Sequence, residues 1–167
     1  SGTLSAQRIA VDDEGGVWGL DAEGLLRLGG PSPPAMPDAI DFCITAGSTE
    51  AVALLPAALG FSGGGSTPLP EDLPAAERQL VFSGQGVVVL ALRKENSLDL
   101  LVLNRKAGTW LHGPDLIFFS EASSADRVRA VHVPELRLLL LHFSWLPSPA
   151  VLGLDPVEFL LIDERQQ

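Results

Sequence analysis

A mainly β fold, an antiparallel strand-rich meander with one to three short helices, is predicted by three features of this 167-residue sequence. From residue 8 to residue 28, short apolar runs alternate with turns of Asp, Glu and Gly. Such turns suit hairpins because Asp ties down its own backbone and Gly accepts positive φ. The runs 86–92 and 98–104 flank a polar five-residue connection, Arg93-Lys-Glu-Asn-Ser97, a second hairpin signal. Lastly, the strong strands succeed one another after short connections, as hairpins do and parallel crossovers do not. An α+β arrangement is the alternative.

In order along the chain, strands are expected at 8–11, 16–20 and 25–28, with turns at 12–15 and 21–24. Gly29 to Pro37 holds four prolines and reads as an extended surface loop, since proline lacks the donor a helix or central strand needs. Residues 39–45 form the next strand. Ser48 to Gly60 reads as a helix, with Ser48 as N-cap, Gly60 as the stop and Pro56 a kink or an end near Leu55. Phe61 to Pro74 is a Gly/Ser then Pro-rich linker, where a single domain over 1–167 would divide into subdomains. A short helix is expected over 75–79.

The second half is a run of apolar segments. The strand at 86–92 is apolar on both faces, which places it centrally in a covered sheet. After the partner strand 98–104, Lys106-Ala-Gly108 turns the chain into a strand at 109–111, and His112 lies in a Gly-Pro turn. Leu116–Phe119 reads as a strand and Ser120–Val131 as a helix, capped at Ser123 or Ser124 with Asp126 in its first turn. Strands at 137–143 and 157–162 close the chain, each preceded by a proline.

Composition narrows the function classes. Hydrophobic residues make up 46% of the chain, enough for a real core. The net charge of −10 is uneven: residues 1–83 carry eleven acids against three bases, and 84–167 ten against eight. Nucleic acid binding needs clustered Lys and Arg, and the largest basic groupings are the pairs Arg93–Lys94 and Arg105–Lys106. The uncharged run Leu138–Leu154 holds two prolines and is shorter than the ~20 apolar residues of a bilayer span. One cysteine, Cys43, sits within a strand and excludes an internal disulfide framework. No charged-then-apolar leader opens the sequence, so a soluble, cytoplasmic protein is expected.

Val11-Asp-Asp-Glu-Gly-Gly-Val-Trp18 keeps Asp, Gly and Trp at the spacing of the Asp-box hairpin of sialidase-type β-propellers, which it resembles. The motif's Ser and Thr are Val11 and Val17 here. Leu98 to Trp110, ending in Gly-Thr-Trp, also looks like a strand pair of a propeller blade. The resemblance covers about a third of the chain and implies blades of four antiparallel strands, in a piece of a propeller.

Candidate chemistry is sparse. Gly60-Phe-Ser-Gly-Gly64 matches G-x-S-x-G, which would make Ser62 a nucleophile, with Asp126 and His132 or His142 following in the right chain order. A nucleophile elbow needs a strand before the serine and a helix after it; the helix expected before Ser62 inverts that context. The same glycines lack the Lys of a phosphate loop. His112, His132 and His142 show no metal-ligand spacing. Asp12, Asp13, Glu14, Asp21 and Glu23 do not match a calcium loop and read as turn residues. No catalytic residue, cofactor or metal is therefore expected.

By elimination, the expected function is a non-catalytic protein–protein interaction or scaffold module, a subunit or fragment of a larger assembly. The alternatives are an acidic neutraliser of a basic partner, such as an immunity protein or secretion chaperone, and a serine hydrolase using Ser62. Trp18, Trp110 and Trp145 are the interface candidates by size, and Asp12, Asp13 and Glu14 by charge.

Overall fold

The computed structural model describes residues 8–28, 36–74, 76–94, 97–117, 127–142, 149–154 and 159–161, without the side chains of 114–117 and 159–161. The described residues are almost wholly β. Their strands form four antiparallel sheets, and within each sheet the strands lie in chain order. The chain divides into two compact units, Ser1–Leu73 and Pro74–Gln167.

The first unit opens with β1 (Arg8–Val11), β2 (Val17–Asp21) and β3 (Gly24–Leu28), the meander predicted from the acidic turns. Met36 adds a single bridge to β3: Leu25 and Met36 exchange both backbone N–H···O bonds, at 3.0 and 3.2 Å. The second sheet is β4 (Asp41–Ile44), β5 (Ala51–Leu54), β6 (Ala58–Phe61) and β7 (Ser66–Pro68). Trp18, Leu20 and Leu25 from the first sheet pack on Phe42, Ala51 and Ala53 from the second. This is one face of each sheet removed from water, at about 25 cal/mol per Å² of apolar area.

Two expectations fail in this unit. Residues 48–60 are not a helix. Ala51–Leu54 is a central strand with all four residues buried, and Pro56 stands in the turn that leads to β6. Alanine and leucine favour a helix locally, but Pro56 lacks the N–H to continue one, and burial on both faces rewards a strand. Ser48 caps a turn instead, its hydroxyl accepting the Glu50 N–H at 3.0 Å. The 61–74 segment is not a linker either. Gly64 and Gly65 take positive φ, +109° and +86°, and turn β6 into β7, after which Leu69 is buried.

The second unit begins with β8 (Glu77–Gly84), β9 (Val87–Arg93), β10 (Ser97–Asn104) and β11 (Thr109–Ile117). The hairpin joining β9 to β10 pairs Arg93 with Leu98, and Val87 to Leu92 are buried without a gap, as the doubly apolar pattern predicts. The short helix expected at 75–79 is absent, since Glu77 already begins β8. β11 runs through the turn expected at His112–Pro114, with a register shift opposite Asp99–Leu101.

The last sheet is β12 (Arg129–Val133), β13 (Leu138–His142), β14 (Ala150–Leu154) and β15 (Phe159–Leu161). The end of the helix expected at 120–131 is strand β12; residues 118–126 lie outside the described residues. Pro134–Leu136 is a single 3₁₀ turn, closed by Arg137 in the left-handed region. Val87, Val89, Leu98 and Leu100 of the third sheet pack on Leu139 and Leu152 of the fourth. At the seam Gln79 acts as a clamp: its Nε2 donates to the Val128 carbonyl at 2.8 Å and its Oε1 accepts the Val128 N–H at 3.0 Å.

Candidate functional site

The first hairpin is organised by one carboxylate. Asp12 Oδ1 accepts the backbone N–H of Gly16 at 2.7 Å and of Glu14 at 3.1 Å. Its Oδ2 accepts the Trp18 indole N–H at 3.0 Å and faces the Arg27 guanidinium at 3.1 Å. The Asp12 carboxyl is held below the ordinary carboxylate value, chiefly by the Trp18 hydrogen bond, against the opposing effect of its burial. The Gly16 and Glu14 N–H groups and Arg27 add to the lowering. Gly16 leaves room for this cluster, because a Cβ there would overlap the Asp12 carboxylate and the Arg27 guanidinium.

The Asp-box resemblance aligns Asp13, four residues after Ile9 and two before Gly15, with the motif's aspartate. In the structure the bonded carboxylate is Asp12, and Asp13 is exposed, its backbone N–H donating to the Ser48 carbonyl at 3.3 Å. Glu14 is exposed beside it. Trp18 is 2% exposed, so of the aromatic candidates it serves the core. Trp110 is half-buried on β11, paired with Leu103, and Trp145 lies outside the described residues.

The strand pairing decides what each face of the first sheet carries. Residues opposite each other across antiparallel strands share a face. One face holds Arg8, Leu20 and Leu25 in one row and Ala10, Trp18 and Arg27 in the next. Both arginines therefore turn inward: Arg8 bonds the Asp41 carboxylate and the Phe42 carbonyl, and Arg27 meets Asp12. The other face holds Ile9, Gly19 and Leu26 in one row and Val11, Val17 and Leu28 in the next. Ile9 is 62% and Val11 61% exposed, and Leu28 is exposed as well.

This outward face is apolar across three strands, and carboxylates stand at both ends of it. Asp13 and Glu14 lie in the β1–β2 turn; Asp21 ends β2, and Glu23 lies in the turn to β3. The five apolar side chains were not singled out from the sequence. Their signal is the alternation at 9 and 11 and at 26 and 28, readable only once the register is known.

The catalytic candidates have structural employment. Ser62 lies in the turn after β6, its hydroxyl accepting the Ala51 N–H at 2.9 Å while its own N–H donates to the Ala51 carbonyl. The context is strand–turn–strand, not the strand–turn–helix of a nucleophile elbow. Cys43 is buried, which pushes its thiol up to about 12. His132 packs against the Phe82 ring, centroid to centroid 4.7 Å, whereas His112 and His142 are exposed on β11 and β13. Asp126 lies outside the described residues. Among the described residues no group of three or more His, Cys, Asp or Glu could hold a metal ion, and no helix is long and apolar enough to cross a membrane.

No protein-family model matches the sequence, and no curated protein matches it significantly.

Proposed function

We propose that this chain is a protein–protein interaction or scaffold module, a subunit or fragment of a larger assembly. The observation that carries this reading is the outward face of β1–β3, where Ile9, Val11, Val17, Leu26 and Leu28 form one apolar surface. Single exposed apolar residues are ordinary, but a continuous apolar face across three strands is a site of contact. The framework behind it is rigid. The Asp12 cluster fixes the hairpin, and the inner face is packed on the second sheet. A preorganised apolar face loses little freedom on binding.

The acidic-neutraliser reading draws on the same surface. Asp13, Glu14, Asp21 and Glu23 flank the face while Arg8 and Arg27 point inward, so the charge presented is negative. Such a rim steers a basic partner and adds salt dependence.

Affinity capture with the wild-type chain and with Val11→Lys, each at low and at high salt, tests the two readings. Under the scaffold reading a stoichiometric partner survives high salt on the wild type and is lost on V11K. A partner released by salt from both chains indicates acidic neutralisation. A partner bound equally by wild type and V11K at high salt refutes the use of this face.

A further inference from the structure

β1 is the outermost strand of the first sheet and pairs with β2 on one side only. In an antiparallel pair, every second residue exchanges bonds with the partner strand, and the residues between direct their N–H and C=O the other way. The Asp12 N–H donates to the Gly16 carbonyl at 2.9 Å, and Arg8↔Leu20 and Ala10↔Trp18 continue that register, so the bonded residues are 8, 10 and 12. Ile9 and Val11 therefore turn their backbone N–H and C=O to the open edge. Among the described residues nothing bonds these groups.

Other sheet edges are blunted. Met36 bridges the far edge of β3, and β7 ends in Pro68, which has no N–H to give. β8 is broken by a register shift between Leu80 and Phe82, and its Gln79 side chain holds Val128. β1 pairs without a shift, and the two residues that open to its edge also expose apolar side chains.

A cavity of about 250 Å³ opens where this edge ends. Val11, Asp12 and Asp13 line it on one side and residues 44–48 on the other. Its walls are tied together: the Asp13 N–H donates to the Ser48 carbonyl at 3.3 Å, and the Ser48 N–H to the Thr45 carbonyl at 3.1 Å. The Asp12 carboxylate is engaged by its turn, by Trp18 and by Arg27. The Asp13 carboxylate is exposed, and among the described residues no hydrogen bond or ion pair engages it.

We infer that the open edge of β1 binds an extended peptide segment by antiparallel strand addition, Ile9 and Val11 pairing with its backbone and Asp13 receiving a Lys or Arg side chain at the cavity. The inference rests on the interaction-module reading and names what the module binds. Main-chain hydrogen bonds supply affinity whatever the sequence, and the cavity with its carboxylate selects a basic side chain. Residues of the added strand opposite Ile9 and Val11 lie on the outward apolar face, which favours apolar side chains at those two positions. Antiparallel pairing is the mode of every strand pair in the described sheets.

An NMR titration of the ¹⁵N-labelled chain with the capped peptide Lys-Thr-Val-Thr-Val-Thr tests this. Saturable shifts are expected at the amides of Ile9, Val11 and Asp13. The same peptide N-methylated at both valines keeps the side chains, loses the paired donors and should not bind. Ile9→Pro removes an N–H that β2 does not use and should weaken binding about tenfold, the effect of about one main-chain hydrogen bond. Ile9→Ala keeps that N–H and should bind more tightly than I9P; far-UV circular dichroism checks that the sheets persist in both. Glu in place of the peptide's Lys, or Asp13→Asn in the chain, should weaken binding and abolish its salt dependence. No saturable shift up to about 1 mM peptide overturns the inference. So does equal binding of the N-methylated peptide, or equal binding of the Glu peptide. The interaction-module reading fails on a different result, a lysate partner captured equally by wild type and V11K at high salt.

Discussion

The Trp18 indole donates its N–H to the Asp12 carboxylate at 3.0 Å, joining the first turn to the core of the first unit through one hydrogen bond. The tryptophan ring packs on the second sheet, while the same carboxylate holds the Gly16 and Glu14 N–H groups of the turn. Packing and turn geometry are therefore linked through a single side chain. The neighbouring Asp13, identical in chemistry and one residue away, is exposed.

That difference gives the first prediction. Asp12→Asn should lower the unfolding midpoint clearly, and Asp13→Asn should leave it nearly unchanged. The Asp12 carboxyl titrates below its unfolded value of 3.8. A depressed folded pKa means that its stabilisation is fully present above 3.8 and is lost as pH falls through the folded value. Urea titrations of wild type and D12N across that range should show two curves that converge on the acid side. Curves that stay parallel would refute the assignment.

Cys43 should be inert in the folded chain. Burial raises its thiol pKa to about 12, so almost no thiolate exists at neutral or mildly alkaline pH. Ellman's reagent should fail to label the native protein and should label one thiol per chain after unfolding in guanidinium. Rapid labelling of the native state would contradict this burial.

Phe42 is fully buried at the contact between the first two sheets. Phe42→Ala should cost about 3–5 kcal/mol, from lost transfer energy plus the cavity left behind. Ile9→Ala, at an exposed position, should change stability by less than about 0.5 kcal/mol. Equilibrium denaturation of the two variants measures the contrast.

Gln79 satisfies both backbone groups of Val128, which lies at the packed seam of the second unit. Gln79→Ala leaves a donor and an acceptor without their partner, a loss of roughly 1–3 kcal/mol. Gln79→Glu keeps the acceptor for the Val128 N–H but sets a carboxylate oxygen against the Val128 carbonyl, and should not restore wild-type stability. Amide exchange at Val128 should quicken in Q79A.

Much of this protein was legible along the chain. Acidic and glycine-rich turns delimit β1, β2 and β3, and the polar connection at 93–97 delimits β9 and β10, because turn chemistry and period-two patterning act within a few residues. The doubly apolar run at 86–92 announces a covered strand for the same reason. Other elements were misread because local preference and tertiary context disagree. Ala51–Leu54 has the composition of a helix and the surroundings of a central strand. β14 has no counterpart among the expected strands, falling between those at 137–143 and 157–162, although Pro147-Ser-Pro149 stands directly before it in the sequence.

Which of two adjacent aspartates would be buried, and whether Trp18 or Val17 would face the core, was settled only by tertiary structure. Both depend on register, and one residue of slip exchanges the two faces of a strand. The apolar surfaces at Val11 and Val131 follow the same logic. The sequence alone determined that both residues are apolar and placed Val11 in a strand, whereas it placed Val131 at the end of a helix that the structure replaces with β12. Only the packing of sheet on sheet decided which faces were covered: the first sheet buries one face and leaves Ile9 and Val11 in water, whereas Ala51–Leu54 and Val87–Leu92 are buried on both faces.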